Sequence, residues 1–210
     1  MEDRSEGERL TSLHISQATK QDRTSTAWLV ARFTPLLLCQ ARYRMPPSLR
    51  RYCDPEDVVA DVWMALLPAL PQLAPSQGSF ARGLLALAST ILIRRVRDLL
   101  EKHVVNKPQP QASGSRTGAA NPADDLAASQ RGVVSHVIAE EQGGLLWTLL
   151  NELPLEDQQI MVLRGIEGLS HQAVADRTGL SAGNVAVRYH RLMTRLKERL
   201  PSSVLDDMGD

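Results

Sequence analysis

The stretch "SHQAVADRTGLSAGNV", residues 170–185, constrains the fold more than any other part of this chain. Ser170 stands where a hydroxyl can accept a backbone N–H and open a helix, and Ser181 repeats the arrangement. Between them Gly179 sits where a chain leaving one helix turns with positive φ, which glycine adopts without steric cost. Val174 and Ala175 supply the inner side of a first short helix, and Leu180 plugs the junction. After Ser181 come Val185, Tyr189, Leu192, Leu196 and Leu200, at spacings of four, three, four and four, the apolar stripe of an amphipathic helix. A rotation of about 100° per residue carries Gly183, Val187, His190, Arg191 and Thr194 to the opposite face, with Asn184 beside them and Arg188 on the flank. Two such helices form a helix-turn-helix, whose second helix enters the major groove of DNA. Its N-terminus aims backbone N–H groups at phosphates, while Arg and Asn reach base edges. The alternative is a tight helical hairpin that only packs, with its arginines as a solvated face.

The rest of the chain reads as helical too, since apolar residues repeat at three and four rather than two. Residues 27–45 form a first helix with an interruption or kink near Pro35. Asp54 caps a second, with Pro55 at its first position and Glu56 and Asp57 at the positive end of the dipole; it runs to Leu67, before Pro68 and Pro71. The loop "PQLAPSQGS" follows, then a long helix from Phe80 to about His103 with a core stripe of Leu85, Ala88, Leu92, Val96 and Leu99. Beyond it, "NKPQPQASGSRTGAANPADD" has little that could build a core. The fold class is therefore all-α, two small helical domains joined by a flexible linker. The expected division is a partly disordered tail over 1–26, a first domain over 27–103, a linker over 104–132, a helix-turn-helix domain over 133–201 and a tail over 202–210.

Acidic and basic residues balance at 24 each, so only their placement is informative. No Lys or Arg occurs between Asp54 and Ala81, whereas Asp54, Glu56, Asp57 and Asp61 crowd the start of that segment. From Arg164 to Arg199 seven basic residues face three acidic ones. One end is acidic and the other basic. Cys39 and Cys53 lack zinc or disulfide spacing and read as reduced cytosolic thiols. The charged start "MEDRSEGERL" argues against a signal peptide, and the run from Leu84 to Ile93 is half a bilayer span, so a cytoplasmic protein without membrane contact is expected. Five scattered His residues, with no Gly-rich phosphate loop or carboxylate constellation, give no catalytic residue, cofactor or metal to assign.

The segment "LLNELPLEDQQIMVLRGIEGLSHQAVADRTGLSAGNVAVRYHRLMTRLKERL" resembles region 4 of bacterial RNA polymerase sigma factors, especially the extracytoplasmic-function (ECF) group of the sigma-70 family. Carrying the likeness are the "LP" before a helix ending in "LRGIEGLS", the "VA" and "TGLS" of the turn, and "GNV" with "RYHRLMTRLKERL" after it. "DPEDVVADVWMALLPALPQLAPSQGSF" and "LLALASTILIRRVRDLL" stand where region 2 of the family has its acidic helix, loop and promoter-facing helix. The two likenesses cover roughly residues 27–102 and 145–200.

The resemblance implies docking of the acidic helix, through Asp57, Asp61 and Met64, on the β′ clamp helices of core RNA polymerase, and contact of region 4 with the β subunit. It implies reading of a promoter −35 element by Ser181, Asn184, Val187, Arg188, His190 and Arg191, and of the −10 element by Ser89, Thr90, Arg94 and Arg97, with Arg95 adding charge for an opened strand. An anti-sigma factor is a further partner compatible with it. Several positions depart from the family's usual residues: Ala60 replaces a Gln, Leu73 an aromatic, Gly83 a Trp, and Ser89-Thr90 an Arg-Asn pair. In the second helix Ala186 and Val187 stand where a basic and a polar residue are usual, so an atypical −35 sequence is expected, with Val187 able to touch a thymine methyl group. The reading is a sigma factor that directs promoter-specific initiation. Its alternatives are a helix-turn-helix regulator that never joins polymerase, and a sigma-like decoy that does not initiate.

Overall fold

The computed structural model describes residues 6–76, 79–105 and 141–200. Residues 1–5 of the expected N-terminal tail, the 106–132 part of the expected linker, residues 133–140 and 201 of the expected second domain, and the C-terminal tail fall outside them. Eight α-helices make up the described fold: α1 (Glu6–Ala18), α2 (Arg23–Arg44), α3 (Pro55–Leu66), α4 (Phe80–Leu100), α5 (Glu141–Asn151), α6 (Leu155–Ile160), α7 (His171–Thr178) and α8 (Ala182–Lys197). A 3₁₀ turn, Leu67–Gln72, follows α3, and wide π-helical stretches extend α4 over Glu101–Val105 and α6 over Met161–Ile166.

The first helix, expected over 27–45, is α2 and spans Arg23–Arg44. Asp22 caps α2, its side chain accepting from Ser25 N at 2.8 Å. Asp54 opens α3 with Pro55 in the first turn, and Ser79 caps α4. All five residues of the α4 stripe are buried. Helix α2 runs through Pro35 without interruption.

Residues 6–18 correct the expectation of a tail over 1–26, for they form α1 and dock on the first lobe. Ile15 and Thr11 are buried there, and the His14 ring stacks on Trp28 with centroids 4.1 Å apart. Too few apolar residues lie in α1 for periodicity to reveal it, and its stability comes from packing. Ser25 joins the contact, donating its hydroxyl proton to Gln17 Oε1 at 2.7 Å and lying 3.0 Å from His14 Nδ1. Burial, then the Arg32 charge, pulls the His14 pKa below its ordinary 6.5 against the opposing pull of Asp22. Well above pH 6.5 the ring is neutral in both folded and unfolded chains; as the pH falls through 6.5 the unfolded chain protonates more readily, and the docked form loses stability. Amide exchange across α1, corrected for intrinsic rate, is expected to be faster near pH 5.5 than near pH 7.5.

The two lobes meet through α2. Every residue from Phe33 to Ala41 on α2 is buried. A helix apolar on all sides needs neighbours all round. Helices α1, α3 and α4 cover it within the first lobe, and α5 and the Met161–Ile166 stretch cover it from the second. One continuous apolar core therefore joins Leu29, Leu37 and Leu92 to Leu146, Ile160 and Leu192. Trp63 lies inside it with its indole N–H donated to Thr34 Oγ1 at 2.9 Å, so this buried polar group is satisfied.

Candidate nucleic-acid interface

The helix-turn-helix is built as its local sequence dictates. Ser170 Oγ accepts from Ala173 N at 3.2 Å, and Ser181 Oγ from Asn184 N at 3.2 Å. Gly179 takes φ 75° and ψ 6°, and its N–H closes on Ala175 O. Val174, Val185, Tyr189, Leu192 and Leu196 are all buried, fixing α8 against its partners. Arg164, which sequence reasoning counted only as a cation, pins this corner: its guanidinium lies 5.5 Å from the Tyr189 ring centre and donates from Nε to His171 Nε2 at 3.3 Å.

Gly183, Asn184, Val187, His190, Arg191 and Thr194 are all exposed, Val187 at 50%. They form one polar face with a single apolar centre, opposite the core stripe of α8. Such a face can offer a guanidinium and a carboxamide to base edges or phosphates, and a methyl-sized contact to thymine.

Arg188 is placed differently. Its Nε lies 3.0 Å from Asp157 Oδ1, its Nη2 2.8 Å from the same oxygen, and its Nη1 2.5 Å from Glu156 Oε2. Hydrogen bonding to Glu156, and less so to Asp157, holds its charge more firmly than in free arginine despite some desolvation. The side chain thus ties α8 to the first turn of α6 while remaining 26% exposed. Sequence reasoning missed this pair because two acids in a helix's first turn are sufficiently explained by the dipole. Arg188→Ala is expected to destabilise the second lobe by about 1 kcal/mol, a figure set by its partial exposure. In a duplex-binding titration it should lower affinity less than Arg191→Ala.

In the first lobe the predicted −10 residues separate into two groups. Arg94 and Arg97 are exposed on α4. Ser89 is buried and donates to Gln40 Oε1 at 3.2 Å. Thr90 is exposed but donates back to Ala86 O at 2.9 Å, the habit of a hydroxyl inside a helix. The loop before α4 is pressed onto it at Gly83, where a Cβ would lie 2.3 Å from the Ala74 carbonyl oxygen. Reciprocal backbone bonds of 2.9 Å between Ser76 and Ser79 clamp the same loop.

On α3, Asp57 and Asp61 are half-buried and Met64 is 40% exposed. Asp57 Oδ2 accepts from Asp54 N at 3.3 Å. Asp61 is paired with Arg95 of α4, at 2.6 Å to Nη2 and 2.7 Å to Nε. The acids border a cleft of about 210 Å³ lined also by Cys53 and Leu99. Cys39 is buried with its pKa pushed up to about 12, and burial also raises Cys53; a thiol with a raised pKa is a poor nucleophile. No group of three or more His, Cys, Asp or Glu side chains among the described residues could hold a metal ion, and none of the described helices is long and apolar enough to cross a membrane.

Residues 144–196 match the family model for sigma-70 region 4. Over most of its length the chain is similar to ECF RNA polymerase sigma factor ShbA of Streptomyces griseus, at 29% identity over 188 residues, covering 87% of this chain and 91% of that protein. ECF RNA polymerase sigma factor SigD of Mycobacterium tuberculosis is 25% identical over 195 residues, covering 93% and 85%. SigD of Mycobacterium bovis matches to the same extent. No solved structure matches the chain significantly.

Proposed function

Because the chain belongs to the ECF group of the sigma-70 family of RNA polymerase sigma factors, we propose that α8 reads the −35 element and that the acidic face of α3 docks on core polymerase. The chain is a sigma factor that directs promoter-specific transcription initiation, and it binds core RNA polymerase and promoter DNA. The observation that carries the division of labour is the exposed face of α8, held in place by the Ser181 cap and a buried stripe.

On that face Asn184 and Arg191 are the base-reading or phosphate-binding groups, Val187 is the thymine contact, and His190 flanks them. Ser181 positions the helix through its cap and leaves the first N–H groups of α8 near a phosphate. Arg188 plays a supporting part, reaching DNA only with the donors that Glu156 and Asp157 leave unused. Arg94 and Arg97 give the first lobe cations for a −10 strand. Ser89 contributes through the interior in place of a DNA contact, and Thr90 offers little beyond its own helix.

Docking falls to Asp57, Asp61 and Met64, against the β′ clamp helices, with region 4 meeting the β subunit. Release of Arg95 from Asp61 would free one charge for the polymerase and another for the promoter. An anti-sigma partner would compete for these same surfaces.

The test mixes the purified chain with core polymerase and a pool of promoter fragments, and reads transcript starts. Specific starts support the reading. Assembly without transcripts identifies a decoy, and fragment binding without assembly identifies a regulator independent of polymerase.

A further inference from the structure

On the acidic face of α3, Asp61 already holds a cation of the chain's own. Its Oδ2 accepts from Arg95 Nε at 2.7 Å and lies 2.6 Å from Arg95 Nη2. Both donors fall on that one oxygen, and among the described residues no hydrogen bond is made to Oδ1. Asp61 comes from α3 and Arg95 from α4, and their side chains remain 34% and 44% exposed. Beside the pair the cleft of about 210 Å³ runs between Val58 and Ala60 of α3, Leu99 of α4 and Cys53. Arg95 thus borders two surfaces. With no Lys or Arg between Asp54 and Ala81, α3 brings no cation to its own acids. On the other side Arg94, about 100° round the helix, and Arg97 are exposed.

We propose that Arg95 is a stand-in: in the free chain it fills the place on Asp61 that a cation of core polymerase takes on docking, and, once displaced, it turns to the phosphates of a promoter strand beside Arg94. The ion pair stands on its own geometry; the identity of its two competitors rests on the docking and −10 reading given above.

The cleft suits the incoming group. Its apolar walls receive the methylene stem of a Lys or Arg while the charged head reaches Oδ1, so the newcomer binds before Arg95 leaves and Asp61 is never left without a counter-charge. The exposure of the pair suits the exchange. Water and salt screen an exposed ion pair, and both side chains give up freedom to form it, so it is weak; a deeply buried pair would be costly to part. One guanidinium cannot serve Asp61 and a strand phosphate together. Polymerase and strand therefore each raise the affinity for the other by the same factor. The rival destination for a released Arg95 is the exposed Asp98, one turn along α4, where it would bring nothing to DNA.

Two titrations of the full chain test this: association with core polymerase, and binding of a dye-labelled oligothymidine strand to the free chain at several salt concentrations. Arg95→Gln uncovers Asp61 and is expected to tighten polymerase association about twofold to fivefold, the range of an exposed ion pair. Asp61→Asn is expected to weaken polymerase association yet tighten strand binding, with the slope of log affinity against log salt steeper by about 0.7 for the one phosphate gained. Adding Arg95→Gln to Asp61→Asn returns that slope to the native value, whereas simple relief of repulsion by the Asp61 charge would persist in the double variant. Circular dichroism verifies that each variant keeps its helix content. Polymerase association unchanged or weakened in folded Arg95→Gln overturns the stand-in. A strand slope that Asp61→Asn leaves at its native value, or that the double variant fails to restore, overturns the transfer of Arg95 to DNA. A slope that responds as expected in a chain that binds no polymerase in any form supports that transfer and overturns the docking reading.

Discussion

Replacing Asn184 and Arg191 together by Ala is expected to weaken binding of a −35 duplex on the order of a hundredfold to a thousandfold while leaving the helix content unchanged. Both side chains project from the exposed face of α8, away from the stripe of Val185, Tyr189, Leu192 and Leu196 that holds the helix in place. A well-formed base contact discriminates by about 1–3 kcal/mol, and each 1.4 kcal/mol is tenfold, so two lost contacts reach that range. Salt dependence assigns the role of Arg191. On a phosphate, its loss makes the slope of log affinity against log salt shallower by about 0.9 and weakens all sequences alike. On a base edge, the slope changes less and one position of the site loses its preference. An electrophoretic or anisotropy titration at several salt concentrations, on full-length variants, supplies both readings.

Gly83→Ala should destabilise the protein by about 1–3 kcal/mol, the usual cost of overpacking. The sign makes this informative. In an ordinary helix interior the same change stabilises by roughly 0.5–1 kcal/mol, because alanine loses less backbone freedom on folding. Here the added methyl would meet the Ala74 carbonyl oxygen at 2.3 Å, with the Ser76 nitrogen 3.3 Å away. Neither is the end of a flexible side chain, so the loop must move as a backbone unit. Thermal melts should fall by about 2–4 °C per kcal/mol in a chain of this size, and hydrogen exchange should rise at Ser76 and Ser79 as their reciprocal bonds open. A higher melting temperature would show that the loop yields freely and that the Gly83 contact does not hold it.

What could be read from the sequence was whatever a few neighbouring residues decide. The caps at Ser170, Ser181 and Asp54, the turn at Gly179 and the α4 stripe each depend on side chains within four positions of one another, and each appears where its chemistry requires. Contacts between distant segments carried no such signal. Arg188 meets Glu156 across 32 positions and Arg44 meets Glu167 across 123, and in sequence each is simply a charged residue on a helix. The same holds for α2: its apolar run was visible, but only the second lobe packed on its far side shows why Phe33–Ala41 needs covering all round. Ser89 illustrates the consequence for the site. Its position on the promoter-facing helix was readable, whereas its burial against Gln40 was not.

Sequence-specific recognition of the duplex falls to the face of α8 that carries Asn184, Val187 and Arg191. Its most direct test is selection of random duplexes by the full chain assembled with core polymerase, run in parallel with Asn184→Ala and Val187→Ala. The native chain should enrich a motif at fixed distance upstream of the start site, and each variant should lose preference at one or two positions within it. Enrichment of the same motif, unchanged at every position, by both variants would mean that α8 does not read the duplex.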